Sequence, residues 1–164
     1  MTTFAFEEIN DAHLEAVRNI YNYYVLNTTI SFHTEPLNHD QIMESVIHKN
    51  KRYKSFVIKE NVEIIGYILI TQYKNKQAYD ICAEVTIYLA PDYLGKGIGG
   101  IALSFIEQVA KEQGFHTLIA TICMENIRSK ALFERNGYEQ CALFKEIGCK
   151  FNKKLDIGSF QKIL

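Results

Sequence analysis

A glycine-rich turn is the part of this 164-residue chain best suited to ligand chemistry. Residues 95–100, which we call the glycine turn, contain four glycines, follow an apolar run and open a run with helical spacing. Glycine allows positive φ and lets a ligand approach the backbone closely. A helix that begins here directs free N–H groups and its positive dipole end at one point, which favours a phosphate or pyrophosphate.

An acidic residue lies shortly before the glycine turn, inside the apolar stretch 81–89, which predicts a β-strand. Strand alternation places Glu84, Thr86 and Tyr88 on one face. A carboxylate inside so apolar a strand loses part of its hydration, which suits a general base. The alternative is a strand glutamate that faces solvent or pairs with an arginine.

The elements that must position these residues follow from hydrophobic periodicity. It predicts strands at 3–8, 55–59, 63–72, 81–89, 116–123, 138–147 and 155–162, and helices at 11–26, 40–48, 101–114 and 127–136. This order predicts an α+β fold, with a mixed, mostly antiparallel central sheet of about seven strands flanked by about four helices. The helix after the glycines makes one parallel crossover. Residues 1–164 are expected to form a single domain.

Composition argues against several classes of function. The net charge of −1 gives no basic excess for nucleic acid or an anionic membrane surface. No apolar run is long enough to span a membrane, and the first residues lack a signal-peptide pattern. The four cysteines lack C-x-x-C spacing and the five histidines are scattered, which predicts buried free thiols, a cytoplasmic location and no metal site.

The glycine turn alone admits several interpretations. Gly95-x-Gly97-x-x-Gly100 matches the dinucleotide fingerprint, with Glu125 as a candidate ribose acid. However, a complete dinucleotide fold does not fit in the ~65 residues that remain. A P-loop requires Ser or Thr after Gly-Lys, whereas Gly97 follows Lys96. A packing turn without a ligand remains open.

Segment 91–100 resembles the pyrophosphate loop of the GCN5-related N-acetyltransferase superfamily, Gln/Arg-x-x-Gly-x-Gly/Ala. Gly97 and Gly99 occupy its glycine positions, and Leu94 occupies the position of Gln or Arg. Other segments resemble the phosphinothricin and methionine-sulfoximine acetyltransferases, namely 20–22, 32–36, 78–79, 84–89, 126–129, 132–138, 148–151 and 155–157. The resemblance implies the superfamily's fold, acetyl-CoA as co-substrate, and a homodimer that completes the acceptor site.

The resemblance also implies roles for individual residues. Glu84 would be the general base for direct acetyl transfer to an amine within a ternary complex. The implied cofactor-binding residues are Ile87, Tyr88, Leu89, Gly95, Lys96, Gly97, Ile98, Gly99, Gly100, Asn126 and Ser129. The candidate residues for the acceptor are Phe32, Tyr73, Lys76 and Tyr79. A helix N-cap role for Asn126 and a core role for the aromatic residues remain the alternatives.

Three further positions depart from the subgroup's pattern. Phe133 stands where relatives carry a Tyr or His that protonates the departing thiol, which leaves Tyr138, Tyr88 or water for that role. Lys154 replaces a frequent tryptophan, and Lys76 replaces an arginine but keeps its charge. Residues 73–76 contain Lys74 and Lys76 and form a basic loop. This loop predicts a small anionic, amino-acid-like acceptor. The alternatives are a protein N-terminus, a polyamine or an aminoglycoside and, in another class, a non-catalytic acyl-CoA sensor.

Overall fold

The computed structural model describes residues 3–164, which form one sheet of seven strands in the order β1-β2-β3-β4-β5-β7-β6. The strands are β1 (Phe4–Glu8), β2 (Lys54–Glu60), β3 (Glu63–Gln72), β4 (Cys82–Leu89), β5 (Thr117–Cys123), β6 (Glu139–Lys150) and β7 (Lys153–Ile163). Every neighbouring pair is antiparallel except β4 and β5, which are parallel. The predicted mixed, mostly antiparallel sheet is therefore confirmed.

The predicted four helices are also present. They are α1 (Leu14–Asn27), α2 (His39–Val46), α3 (Ile98–Glu112) and α4 (Ile127–Arg135). One face of the sheet packs against α1 and α2, and the other packs against α3. Strand β3 alternates between the two cores, because Tyr67 and Leu69 face α1 while Ile68 and Ile70 face α3. Burial on both faces explains its nearly continuous apolar sequence.

Two element boundaries differ from the predictions in ways that affect the site. Helix α3 begins at Ile98, three residues before the predicted start, so Gly99 and Gly100 lie in its first turn. Strand β6 continues past residue 147 to Lys150, because an irregularity between Phe144 and Gly148, with Glu146 at φ 54°, lets it resume pairing with β7.

The prediction of buried thiols is correct for Cys82 and Cys123 but wrong for Cys141 and Cys149, which are exposed on β6. The sheet order explains this difference, because β6 is an edge strand that only β7 covers. Within residues 3–164, no group of three His, Cys, Asp or Glu side chains is arranged to hold a metal ion. In the same part of the chain, no helix has the length and apolar character needed to cross a membrane.

Candidate active site

The candidate site begins where the two parallel strands separate. Strands β4 and β5 pair only between residues 82–84 and 117–119. Beyond that point β4 remains paired with β3 to its end, while β5 remains paired with β7. Because different partners hold the two strands, they diverge and leave a V-shaped gap in the sheet. Glu84 is the last residue of β4 that pairs with β5 and stands at the apex of the V.

The edge of β4 that faces this gap has main-chain groups without a strand partner. The N–H of Ala90 donates to the carbonyl of Ile65 on the β3 side, over 2.8 Å. Along a strand, the N–H and C=O groups of successive residues point to opposite edges. The main-chain groups of Tyr88 therefore point toward β3, like those of Ala90, and those of Ile87 and Leu89 point to the open edge. The Tyr24 hydroxyl donates to the Leu89 carbonyl. Ile87 and Leu89 can thus pair with a ligand through their main chain, whereas Tyr88 offers only its side chain.

The glycine turn supplies a second set of unpaired N–H groups. Gly97 is the N-cap of α3 at φ 80°, a left-handed conformation that glycine adopts without strain. The first turn of α3 leaves its N–H groups without helical partners. In the described chain, the N–H groups of residues 95–97 also donate to no protein acceptor. The turn therefore presents several donors and a positive helix end to an anion.

Packing accounts for only part of the glycine content. A Cβ atom at Gly99 would lie 2.8 Å from Leu132 Cδ2, so glycine is required for the close contact between α3 and α4. A Cβ atom at Gly100 would meet only the Asn136 side chain, at an ordinary 3.9 Å. The packing-turn interpretation therefore applies to Gly99 and leaves Gly100 unexplained by protein contacts.

The open strand edge and the glycine turn line one cleft of about 460 Å³. Ten of the eleven predicted cofactor-binding residues line it, namely Ile87, Tyr88, Leu89, Gly95, Gly97, Ile98, Gly99, Gly100, Asn126 and Ser129. The exception is Lys96, whose Nζ lies outside the cleft, 4.7 Å from the centre of the Tyr93 ring. Residues separated by up to 42 positions in sequence, from Ile87 to Ser129, thus meet at one surface.

Asn126 caps α4 and also lines the cleft. Its side-chain oxygen accepts the Ser129 N–H at 3.1 Å and caps α4. The same side chain lies in the cleft lining, as does Ser129. The cap fixes the oxygen of the amide and leaves its NH₂ group available to a ligand.

Glu84 lies half-buried on the face of the sheet that α1 and α2 cover, and it is not part of the cleft lining. Within residues 3–164 it has no hydrogen-bond donor and no ion-pair partner, so its carboxylate is free to accept a proton. Cys82 lies on the same face two residues earlier. Burial, with a contribution from the Glu84 charge, raises the pKa of Cys82 to about 11. The nearest thiol to the carboxylate therefore stays protonated and is a poor nucleophile.

The structure distinguishes the two tyrosines considered as donors to a thiolate. Phe133 is buried, and Tyr138 packs edge-on against it with ring centres 4.9 Å apart. Burial, and then the Glu107 carboxylate, raise the pKa of Tyr138, whose hydroxyl lies outside the cleft. Tyr88, in contrast, lines the cleft and also the narrower gap between β4 and β5.

Tyr88 adjoins a polar network at the inner end of the cleft. Burial raises the pKa of Tyr88, and the Ser31 hydroxyl opposes that rise. The Ser31 hydroxyl donates to the Tyr21 hydroxyl over 2.8 Å, and Tyr21 contacts Nδ1 of His33 at the surface. The Tyr88 ring packs edge-on against Tyr21 with ring centres 5.2 Å apart, so Tyr88 lies beside this network, which ends at an exposed imidazole.

The residues predicted for the acceptor fall into two groups by their contacts. Phe32 packs on Gly148 of β6, where an added Cβ would approach its ring to 2.3 Å. Tyr73 and Tyr79 form an edge-on pair with ring centres 5.7 Å apart, and Lys74 lies over both rings. Lys76 precedes the short 3₁₀ turn that carries Tyr79. Neither group lines the cleft, so the prediction that they enclose one acceptor pocket finds no support within a single chain.

Several residues of the cleft were missed at the sequence level, namely Tyr24, Ile30, Arg128, Leu132 and Arg135. Three of them carry a recognisable signal, because Arg128, Leu132 and Arg135 have the i, i+4, i+7 spacing of one helix face. Tyr24 and Ile30 have no such signal, since α1 reaches the cleft only through the tertiary packing of the sheet.

Comparison with known proteins agrees with this geometry. The sequence profile of the Acetyltransferase (GNAT) family matches residues 17–138. Phosphinothricin N-acetyltransferase of Streptomyces coelicolor is 28% identical over 92% of this chain and 91% of its own length. The structure of a phosphinothricin acetyltransferase from Sinorhizobium meliloti in complex with AcCoA superposes with a TM-score of 0.93 and 30% identity, covering 100% of this chain and 89% of that one.

A third similar protein, the ribosomal-protein-alanine N-acetyltransferase of Brucella melitensis, superposes with a TM-score of 0.92 and 28% identity over 98% of this chain and 99% of that one. The profile covers well over half of the chain, and the fold, the divided sheet and the glycine turn fit the same assignment. This chain is therefore an N-acetyltransferase of the Acetyltransferase (GNAT) family.

Proposed function

We propose that the enzyme transfers the acetyl group of acetyl-CoA directly to the amine of a small, anionic, amino-acid-like molecule. Acetyl-CoA is the co-substrate and supplies the activated acetyl group. The observation that carries the proposal is the convergence of an unpaired strand edge, the N–H groups of the glycine turn and the unpaired carboxylate of Glu84 around one V-shaped gap.

The cleft has the chemistry that acetyl-CoA requires. Apolar side chains of Ile30, Ile87 and Leu89 line one part of it, beside main-chain groups that can pair with the amides of pantetheine. The glycine turn lines another part, where its N–H groups suit a pyrophosphate. Asn126 and Ser129 add polar groups between these regions.

Two side chains of the enzyme, Glu84 and Tyr88, carry out separate proton transfers in the reaction. Glu84 accepts one proton of the acceptor ammonium, directly or through water, so that the neutral nitrogen forms the new C–N bond, and the nitrogen loses a second proton to water as the amide forms. Tyr88 donates its hydroxyl proton to the sulfur when the C–S bond breaks, and solvent restores that proton. Because Cys82 stays a thiol, no acyl-cysteine intermediate precedes the transfer.

The acceptor class is inferred from charge. Lys74 and Lys76 make the segment that precedes Tyr79 basic, and neither forms an ion pair in the described chain. A carboxylate or phosphinate on the acceptor would be attracted there, whereas a polyamine or aminoglycoside would be repelled. The similarity to the ribosomal-protein-alanine acetyltransferase supports one alternative, the α-amine of a protein N-terminus.

An acceptor panel tests the proposal by measuring release of free CoA thiol. It contains phosphinothricin, methionine sulfoximine, ordinary amino acids, their carboxamides, an alanine-initiated peptide and spermidine. We expect free amino acids to exceed their carboxamides by about tenfold in kcat/KM, and Lys76→Ala to reduce that preference while Lys111→Ala leaves it unchanged.

Higher kcat/KM for the peptide would favour the N-terminal alternative. CoA binding without thiol release for any acceptor would contradict catalysis and support an acyl-CoA sensor.

We further propose that the enzyme is a cytoplasmic homodimer whose chains each form one N-acetyltransferase domain over residues 1–164. Edge strand β6 and the following turn expose four large apolar side chains, Leu143, Phe144, Ile147 and Phe151. Such an edge invites pairing with a second strand. A partner at this edge would also lie close to Phe32, which packs on Gly148. Four free cysteines suit a reducing compartment.

Sedimentation velocity tests the dimer. We expect the wild type to sediment as a dimer and Ile147→Glu to sediment as a monomer, because the charge would be buried in the interface. Val62→Glu is the matched control. Val62 is 94% exposed and lies in the turn between β2 and β3, far from β6 in the order of the strands. A monomeric wild type at micromolar concentration would contradict this proposal.

A further inference from the structure

Helix α4 presents two arginines to the cleft. Arg128, Leu132 and Arg135 are spaced i, i+4, i+7 and all line the cleft. A Cβ atom added at Gly99 would lie 2.8 Å from Cδ2 of Leu132, so Leu132 is the side chain closest to this glycine. The two arginines therefore lie one turn before and one turn after the contact between α3 and α4.

The charges of these arginines are uncompensated. Within residues 3–164, neither guanidinium takes part in an ion pair or in a side-chain hydrogen bond. On the same helix, in contrast, Lys130 pairs with Glu134 at 3.9 Å. Glu125, the one acidic residue of the cleft lining, is bound by Lys153 and by the Thr29 hydroxyl. The free charge of the cleft is therefore positive.

The position that lacks a polar side chain lies in the same cleft. Leu94 lines it directly before the glycine turn and packs against the α3 core. Its side chain can neither neutralise nor hydrogen-bond a phosphate. Main-chain N–H groups can bind an anion there, but they carry no full charge.

We propose that Arg128 and Arg135 bind phosphate groups of CoA and supply the positive charge that Leu94 does not. This inference rests on the proposed function, because it concerns the same co-substrate. Seven residues of helix separate the two Cα atoms by about 10.5 Å along the axis, so each guanidinium contacts a different part of the polyanion. CoA carries a pyrophosphate and a separate 3′-phosphate. Arginine suits both, because its fork binds phosphate oxygens in pairs.

Calorimetric binding of CoA, 3′-dephospho-CoA and pantetheine tests the inference without depending on turnover. We expect Arg128→Ala and Arg135→Ala each to weaken CoA binding by about tenfold. Lys130→Ala, on the same helix, should change it by less than about twofold, because an exposed i, i+4 pair contributes little. Neither arginine variant should change the affinity for pantetheine, and the arginine that binds the 3′-phosphate should lose its effect with 3′-dephospho-CoA.

Two further measurements keep the result interpretable. Arg128→Lys and Arg135→Lys keep the charge, so they should recover part of the CoA affinity if an alanine variant folds poorly. Salt should weaken CoA binding to the wild type more steeply than to either alanine variant. The inference is overturned if both alanine variants bind CoA like the wild type, or if they lose pantetheine affinity equally. A wild type that binds no CoA would instead contradict the proposed function.

Discussion

The glycine turn and residues 28–37, which we propose contact the acceptor through Phe32 and call the acceptor loop, are built in opposite ways. The glycine turn depends on its own backbone, through a left-handed N-cap at Gly97 and the free first turn of α3. The acceptor loop depends on side chains from distant segments. Lys150 donates to the Ser31 carbonyl over 2.7 Å, and Thr29 donates to Glu125 over 2.8 Å.

The acceptor loop is consequently held across large sequence separations. The Lys150–Ser31 contact joins residues 119 positions apart, and the Thr29–Glu125 contact joins residues 96 positions apart. Lys150 is 4% exposed, and burial lowers the pKa of its amine. Its ammonium therefore satisfies a buried carbonyl at some cost in solvation. The glycine turn can stay constant while the acceptor side changes, and this division allows one scaffold to serve different amines.

The largest effect is expected at Glu84, the proposed general base. Glu84→Gln keeps the shape of the side chain but removes its basicity, so kcat/KM should fall by ~10²–10⁴-fold. The Kd for CoA should stay within about twofold, because the carboxylate is not part of the cleft lining. Steady-state kinetics and calorimetry measure these two quantities. Glu60→Gln, another half-buried strand glutamate, is the control. Full kcat/KM from about pH 6 to 9 in Glu84→Gln would contradict the role of a base.

A change in the glycine turn should affect only the CoA side. Gly97→Ala places a methyl group at φ 80°, which costs ~1–2 kcal/mol and displaces the N–H donors. We expect the Kd for CoA to rise by about tenfold, with the KM for the acceptor little changed.

Gly114→Ala provides a matched control for that experiment. Gly114 also has φ 80° and no atom within 4 Å of its Cβ position, but it lies after the far end of α3. Differential scanning calorimetry should show a similar loss of stability in both variants, while the Kd for CoA changes only in Gly97→Ala. An equal rise in the Kd for CoA in both variants would mean that the glycine turn affects CoA binding only through the stability of the fold.

A change beneath the acceptor loop should affect only the acceptor side. Gly148→Ala would bring Cβ to 2.3 Å from the Phe32 ring, which must move aside. Phe32 is 41% exposed, so the ring has room to move and the loss of stability should stay below about 1 kcal/mol. We expect the KM for the acceptor to rise severalfold and the Kd for CoA to stay constant. A change confined to the Kd for CoA would contradict the division between the two regions.

The smallest effect is expected at Cys82. Because its thiol pKa is raised to about 11, the thiolate fraction stays small until the pH approaches that value. Cys82→Ala should therefore keep kcat/KM within about twofold, and alkylation of Cys82 should accelerate only as the pH rises toward 11. Mass spectrometry of enzyme quenched during turnover checks for an acetyl group on this residue. Its detection there would show that transfer is not direct.

Sequence reasoning succeeded where the determinants are local. The glycine turn, the strand that precedes it and the order of elements depend on spacing within one segment. The exposure of Cys141 and Cys149 could not be predicted in this way, because it follows from the sheet order, in which β7 lies inside β6. The anchor between Lys150 and Ser31 is likewise a tertiary contact. Arg128 and Arg135 have a helical spacing that is visible in the sequence, but neither was predicted as a site residue.

The open edge of β4 also links the co-substrate to folding. Main-chain groups at Ile87 and Leu89 lack a partner strand, and a ligand that pairs with them extends the sheet. The unfolded chain has no such edge, so this ligand binds only the folded state. Linkage then raises the free energy of unfolding by RT ln(1 + [L]/Kd), or about 2.7 kcal/mol when the ligand is at a hundred times its Kd. At that concentration the ratio of unfolded to folded enzyme falls by about a hundredfold.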